Sequence, residues 1–177
     1  CFHFKNEHLK NLQLEKNMLQ LKNFVKSYGS VPVLKIEDLV IQPGCYWVQG
    51  INGSGKSTLL KAIAGILYFS GDILLNNINV KKQTVAYRKL VNFSEADPVF
   101  PDFLTGAEIL KVFTSAKGSP KGQEDYYIES MKMNSYMHLP IRSYSSGMLK
   151  KLSILLAFVG NPQIILLDEP LITIDET

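Results

Sequence analysis

The stretch Gly50-Ile51-Asn52-Gly53-Ser54-Gly55-Lys56-Ser57 decides how the rest of the chain is read. It fills every fixed position of G-x-x-x-x-G-K-[ST], the phosphate loop, and it has the required flanks. Ahead of it runs the apolar Cys45-Tyr46-Trp47-Val48-Gln49, a strand. Behind it Leu59, Leu60, Ile63, Ile66 and Leu67 fall at helical spacing, predicting a helix over 56–67. The glycines let the backbone curl close to a polyphosphate. The N–H groups from Asn52 to Thr58, through Gly53, Ser54 and Gly55, can then point inward, and the helix dipole adds positive potential where phosphate charge must rest. Lys56 is placed to reach the β- and γ-phosphates. Ser57 supplies a hydroxyl for the magnesium ion that a triphosphate site needs. With glycine at about 7% of average composition, the four fixed positions would arise by chance in such a chain on the order of one per cent of the time.

Working outward, 177 residues with 46% hydrophobic and 20% charged side chains make a globular composition with enough apolar material for a core, which excludes a disordered chain. Nineteen Lys and Arg against sixteen Asp and Glu give +3, too mild a bias to argue for nucleic acid or anionic lipid. Cys1 and Cys45 fit neither a disulfide framework nor a zinc spacing, so a reducing compartment fits. No run approaches the roughly 18 apolar residues of a spanning helix, and the N-terminus lacks the apolar centre of a secretory signal.

Residues 1–17, polar and Lys/Asn-rich, read as an extension, frayed or partly helical; His3 and His8 there lack partners at ligand spacing. The domain proper spans 18–177. Leu19–Phe24 and Val33–Ile41 read as antiparallel strands around the turn Tyr28-Gly29-Ser30. Gly71–Val80 holds another strand with the turn Asn76-Asn77, and Lys89–Phe93 begins a further one. Residues 103–146 change to a helical lobe, with helices near Ala107–Ser115 and Glu124–Met133 split by Gly118–Gly122. From Ser146 to Val159, Leu149, Leu152, Leu155, Leu156 and Val159 make one apolar face. Ile164-Ile165-Leu166-Leu167 then reads as a central parallel strand covered on both faces, delivering Asp168 and Glu169 at its carboxyl end.

Strands often end in carboxylates, but beside a phosphate loop this pair has a chemistry. Asp168 would enter the magnesium shell, and Glu169 would accept a proton from an attacking water, implying hydrolysis. Tyr144-Ser145-Ser146-Gly147-Met148 precedes the apolar helix. Its serines read either as ordinary caps or, with Gly147, as donors to a phosphate held by another molecule.

The order of these motifs resembles the nucleotide-binding domain of ABC transporters, exporter-like, from Met18 onward. The resemblance implies an α/β phosphate-loop NTPase of ABC type: a mixed sheet core, an antiparallel β edge and an inserted helical subdomain near 103–146. It implies ATP and Mg2+ as ligands and Tyr28 stacking on adenine, although a tyrosine in a strand turn also serves packing. Tyr144 to Met148 looks like the Leu-Ser-Gly-Gly-Gln signature, with Ser145 and Gly147 matching and Tyr144, Ser146 and Met148 departing from it. Those two matches would meet the γ-phosphate bound on an opposing subunit. Asn92-Phe93-Ser94-Glu95 resembles the Q-loop entry, with Glu95 in the Gln place as a magnesium or water contact, or else an exposed loop acid. Ile174-Asp175 resembles the D-loop. The family's switch histidine would lie beyond Thr177, and His138 cannot replace it because it precedes the signature, so the domain reads as incomplete.

The resemblance further implies a head-to-tail homodimer or paired ABC subunit, cytoplasmic and at the inner face of a membrane, driving transmembrane permease subunits, with no direct nucleic-acid partner. Rival readings are a non-transport ABC ATPase acting on ribosome or DNA, and a degenerate ATP-binding regulatory module. A small-molecule kinase would leave the signature-like segment and Asp168-Glu169 unexplained.

Overall fold

The structure, a computed structural model, describes residues 3–6 and 18–170, and side chains from 18 to 170. It divides into two compact units that meet in sequence between Arg88 and Lys89.

The first unit contains β1 (His3–Asn6), β2 (Leu19–Tyr28), β3 (Val31–Ile41), β4 (Tyr46–Gln49), α1 (Lys56–Ile63), β5 (Ser70–Leu75) and β6 (Ile78–Asn79). Strands β3-β2-β5-β6 form an antiparallel sheet. In β2 the inward alternation Leu19, Leu21 would bury Asn23 next. Instead Asn23 takes φ 48° and the β2/β5 register shifts between Lys22 and Val25. This bulge resets the period-2 phase, so Phe24 rather than Asn23 turns into the core, where its ring lies 5.1 Å from that of Phe69. Asn76 and Asn77, both at positive φ, make the tight turn between β5 and β6.

Two expectations are corrected here. Residues 3–6 are a strand rather than a frayed or partly helical leader: β1 pairs antiparallel with β4, Phe4 opposite Val48 and Lys5 opposite Trp47, satisfying backbone groups along that edge of β4. Helix α1 stops at Ile63 rather than Leu67. Gly65 adopts φ 72°, its N–H bonds the Ala62 carbonyl (3.0 Å) and the Ile66 N–H bonds the Lys61 carbonyl (2.9 Å), which is a Schellman stop.

Helix α2 (Thr84–Leu90) leads into β7 (Val91–Ser94), so Lys89 and Leu90 are helical, not the start of a strand. The second unit continues with α3 (Gly106–Lys117), α4 (Gln123–Ser130), a 3-10 turn (Ile141–Ser143), α5 (Ser146–Phe158) and β8 (Ile164–Leu167). Thr105 starts α3 with a capping box closed by Glu108, and those hydrogen bonds hold the Glu108 carboxyl below its ordinary pKa. The core of this unit joins Leu110, Met133, Tyr136, Met137 and Tyr144 to Leu152, Leu155 and Val159, on and just after α5. Strand β8 pairs parallel with β7, Val91 opposite Ile164 through Ser94 opposite Leu167. Its apolar run predicts cover on both faces; within the second unit Leu166 is buried and Ile165 is 39% exposed, with β7 the only strand partner of β8 among the described residues.

Candidate active site

In the first unit the phosphate loop leaves β4 at Gly50 and enters α1 at Lys56. Gly53 (φ 78°) and Gly55 (φ 93°) occupy the left-handed region, and a Cβ at Gly55 would press on Leu34 at 3.0 Å, so both backbone angle and packing call for glycine there. The turn closes through Ser54 N–H to the Ile51 carbonyl (3.1 Å). The first helical bond is Leu59 N–H to the Gly55 carbonyl (2.8 Å). The N–H groups from Gly55 to Thr58 therefore lie ahead of any i−4 acceptor, which is the donor array an anion needs.

Lys56 folds back over this loop, its Nζ donating to the carbonyls of Gly50 (2.9 Å) and Ile51 (3.0 Å). No carboxylate neutralises it among the described residues. Ser54 Oγ is buried with no partner, and a Cβ at Gly50 would sit 2.5 Å from it. An unpaired buried hydroxyl is costly, so a phosphate oxygen is a fitting acceptor for it. Asn52 is exposed, and Ser57 and Thr58 are half-buried in the first turn of α1. Tyr28, at the end of β2, is 53% exposed, with Lys26 Nζ 4.6 Å from its ring centroid and bonded to the Tyr68 carbonyl (2.9 Å).

In the second unit the ends of β7 and β8 lie side by side, because their parallel register sets Ser94 opposite Leu167. The Asp168 N–H extends the ladder to the Ser94 carbonyl (2.9 Å). Asp168 is buried, and Glu169, in the left-handed region at φ 47°, is exposed. A non-glycine residue at that angle carries strain, of order 1–3 kcal/mol, at the point where the strand must turn its second acid outward. Glu95 follows β7 and is half-buried.

Sequence reasoning missed Lys150. It is 1% exposed, and its Nζ donates to the carbonyls of Glu95 (2.6 Å), Ala96 (3.3 Å) and Asp168 (2.6 Å). Burial lowers its pKa, while the charges of Asp168, Asp97 and Glu169 pull it back up. Two neighbours complete the joint. Ser94 Oγ and Ser153 Oγ share a buried hydrogen bond (2.9 Å), and Asn92 Nδ2 donates to the carbonyls of Ala157 (3.1 Å) and Val159 (2.8 Å) at the end of α5. The available signal was a second helical stripe on α5, Lys150, Ser153 and Ala157, all buried beside the leucine face.

The signature-like segment lies at the start of α5. Ser145 is the N-cap: its Oγ accepts from the Met148 N–H (3.2 Å), and Met148 Sδ accepts the Ser145 N–H at 3.5 Å, taking the reciprocal place that Glu or Gln usually fills. Accepting a bond leaves the Ser145 hydroxyl proton for donation. Gly147 follows in the first turn, partly exposed. The structure thus gathers Glu95, Lys150, Asp168 and the β8 end in one unit, while the phosphate loop and Tyr28 both belong to the other. Ile174-Asp175 lies outside the described residues.

Comparison with known proteins settles the family. The ABC transporter family model matches residues 38–172. The chain belongs to that family. It is 33% identical over 163 residues to ATP-binding cassette sub-family A member 7 of Mus musculus, covering 87% of this chain and 8% of that protein. It is 32% identical over 158 residues to ABC transporter A family member 8 of Dictyostelium discoideum, covering 86% of this chain and 19% of that protein. This chain therefore spans under a fifth of either relative. Its fold is that of a solved ATP-binding subunit of an ABC transporter, with a TM-score of 0.73 at 24% identity, covering 88% of this chain and 68% of that one. The fold is the α/β ABC ATPase type expected from the motif order, and the chain is an ABC transporter ATP-binding domain.

The Ser57 hydroxyl in the first unit, and the Asp168 and Glu95 carboxylates in the second, are each oxygen donors of the kind a hard cation takes. Among the described residues no group of three or more His, Cys, Asp or Glu gathers. Magnesium needs no such cluster, being commonly held by one or two carboxylates plus substrate phosphates.

Proposed function

We propose that this ABC domain binds ATP with magnesium, hydrolyses it, and powers transport through transmembrane permease subunits. The observation that carries the reading is the loop before α1, where Gly53 and Gly55 take left-handed angles, Lys56 caps the loop, and the buried Ser54 hydroxyl waits for an acceptor. The N–H groups from Asn52 to Thr58 hold the phosphates and Lys56 offsets their charge. Tyr28 stacks on the adenine, sharing its ring with the Lys26 ammonium. Ser57, Asp168 and Glu95 would be the residues to hold magnesium, which would supply neutralisation of charge across the transferring group.

Glu169 orients the water and takes its proton as the water oxygen bonds to the γ-phosphorus and the bond to the ADP oxygen breaks, giving ADP and phosphate. Ser145 and Gly147 of a second ABC subunit, paired head to tail, donate to the γ-phosphate. Nucleotide binding and subunit closure then become one coupled event, which the helical lobe passes to the permease at the inner face of the membrane. No helix among the described residues is long and apolar enough to cross a membrane. In this reading the permease supplies the transmembrane path.

Glu169→Gln tests the proposal. ATP affinity stays within about threefold while turnover drops by about 10²-fold or more, the usual weight of a general base. Equal ATP binding with the same negligible turnover in both proteins would instead make the domain a regulatory nucleotide sensor.

A further inference from the structure

Lys150 is a buried cation whose three bonds all go to backbone carbonyls from two separate segments, Glu95 and Ala96 after β7 and Asp168 after β8. An ammonium has three N–H donors, and here each meets a carbonyl. A long, flexible, strongly hydrated side chain loses rotamer freedom and hydration on burial. Satisfying main-chain acceptors alone could be left to the β7/β8 ladder, which already takes the Asp168 N–H. The ammonium adds something the ladder cannot. It reaches past the last ladder pair and ties the two loops, one carrying Glu95 and the other Asp168 and Glu169, to a point one turn inside α5. Ser145 and Gly147 stand at the start of that same helix, and its far end is held by Asn92 of β7.

We infer that Lys150 is a positioning residue, a latch that fixes the Glu95 and Asp168-Glu169 loops to the signature helix so that a shift of α5 moves the acids. The inference rests on the proposed hydrolytic role of those acids, but the latch itself is a property of the backbone in one unit. It acts through Asp168 and Glu95 and touches no reacting atom.

The test uses the intact protein with Lys150→Met, Lys150→Gln and Lys150→Arg. In K150M, with the ammonium gone and three carbonyls left unmatched, kcat falls by about tenfold to a hundredfold while KM for ATP stays within about threefold. Without nucleotide, hydrogen exchange quickens at the amides of residues 95–97 and 168–169 and is unchanged in α1. K150R, whose guanidinium can still supply three donors, recovers at least about threefold of the lost turnover. A K150M that does not fold is replaced by K150Q, which keeps two donors and carries the same expectations. Wild-type turnover and exchange in a folded K150M or K150Q overturns the latch, as does a K150R no faster than K150M. Failure of all three to fold leaves Lys150 as core only and overturns it too. Should Glu169→Gln turn over like the wild type, the reading of the acids fails instead, and the exchange rates at 95–97 and 168–169 still decide the latch.

Discussion

Tyr144 leads the segment that resembles the ABC signature, where leucine is usual, and its surroundings show what a tyrosine there requires. The phenol ring packs edge-on to Tyr136 at 5.2 Å, and its hydroxyl donates to the Tyr136 carbonyl at 2.9 Å. Room for that hydroxyl exists because residue 106 is glycine: a Cβ there would lie 2.3 Å from Tyr144 Oη and 3.1 Å from Met137 Sδ. Gly106 has an ordinary backbone angle, so its lack of a side chain serves packing, not conformation. Gly106→Ala should therefore destabilise the protein by about 1–3 kcal/mol through overpacking. Adding Tyr144→Phe should return part of that loss, since the nearest colliding atom is gone, although the phenylalanine forfeits one hydrogen bond of about 1 kcal/mol. A double-mutant cycle on urea midpoints checks this, and strict additivity would refute the coupling.

At the scale of elements, the bulge in β2 decides which side chains enter the core of the first unit, and Gly71 of β5 makes the bulge possible. A Cβ on Gly71 would fall 2.1 Å from the Asn23 carbonyl oxygen, and its φ is 84°. Backbone cannot swing aside as a side chain can. Gly71→Ala should cost about 2–4 kcal/mol, combining left-handed strain with the collision, read as a lower denaturation midpoint with an unchanged slope. The same pair shows where sequence reasoning stops. The alternation of Leu19 and Leu21 marked a strand, but a bulge at Asn23 depends on a partner strand far along the chain and leaves no local trace. The loop at Gly50–Ser57 and the face of α5 were legible because their chemistry is local: fixed glycine spacing in one, a 3.6-residue period in the other. Lys150 was not, since a lysine in an amphipathic helix reads as solvated until its three carbonyl partners are brought from elsewhere. Nor was the end of α1, where the apolar spacing continues through Ile66 and Leu67 while Gly65 reverses the backbone between them and Ile63.

At the scale of the whole molecule, each unit buries a tyrosine whose hydroxyl is bonded into, or enclosed by, its core. In the first, Tyr87 is fully buried with Oη donating to the Ile63 carbonyl at 2.8 Å, just where α1 ends. In the second, Tyr136 lies in the lobe core with its hydroxyl unpartnered among the described residues. Burial pushes both phenols up from 10, Tyr136 to about 12 with the nearby Tyr144 adding to the rise, and Tyr87 higher still. Because the folded pKa values exceed the unfolded one, the unfolded chain gives up these protons first as pH climbs. The contribution of the neutral phenols is therefore complete below pH 10 and declines steadily above it, through about 12 for Tyr136. Thermal melts from about pH 8 to about 11.5 should fall more steeply above 10. Replacing Tyr87 with Phe should lower Tm at neutral pH, through the lost bond to Ile63, yet flatten the alkaline slope, because one of the groups whose proton binding differs between the two states has been removed. A slope equal to that of the wild type would place the alkaline loss elsewhere than in the buried Tyr87 phenol.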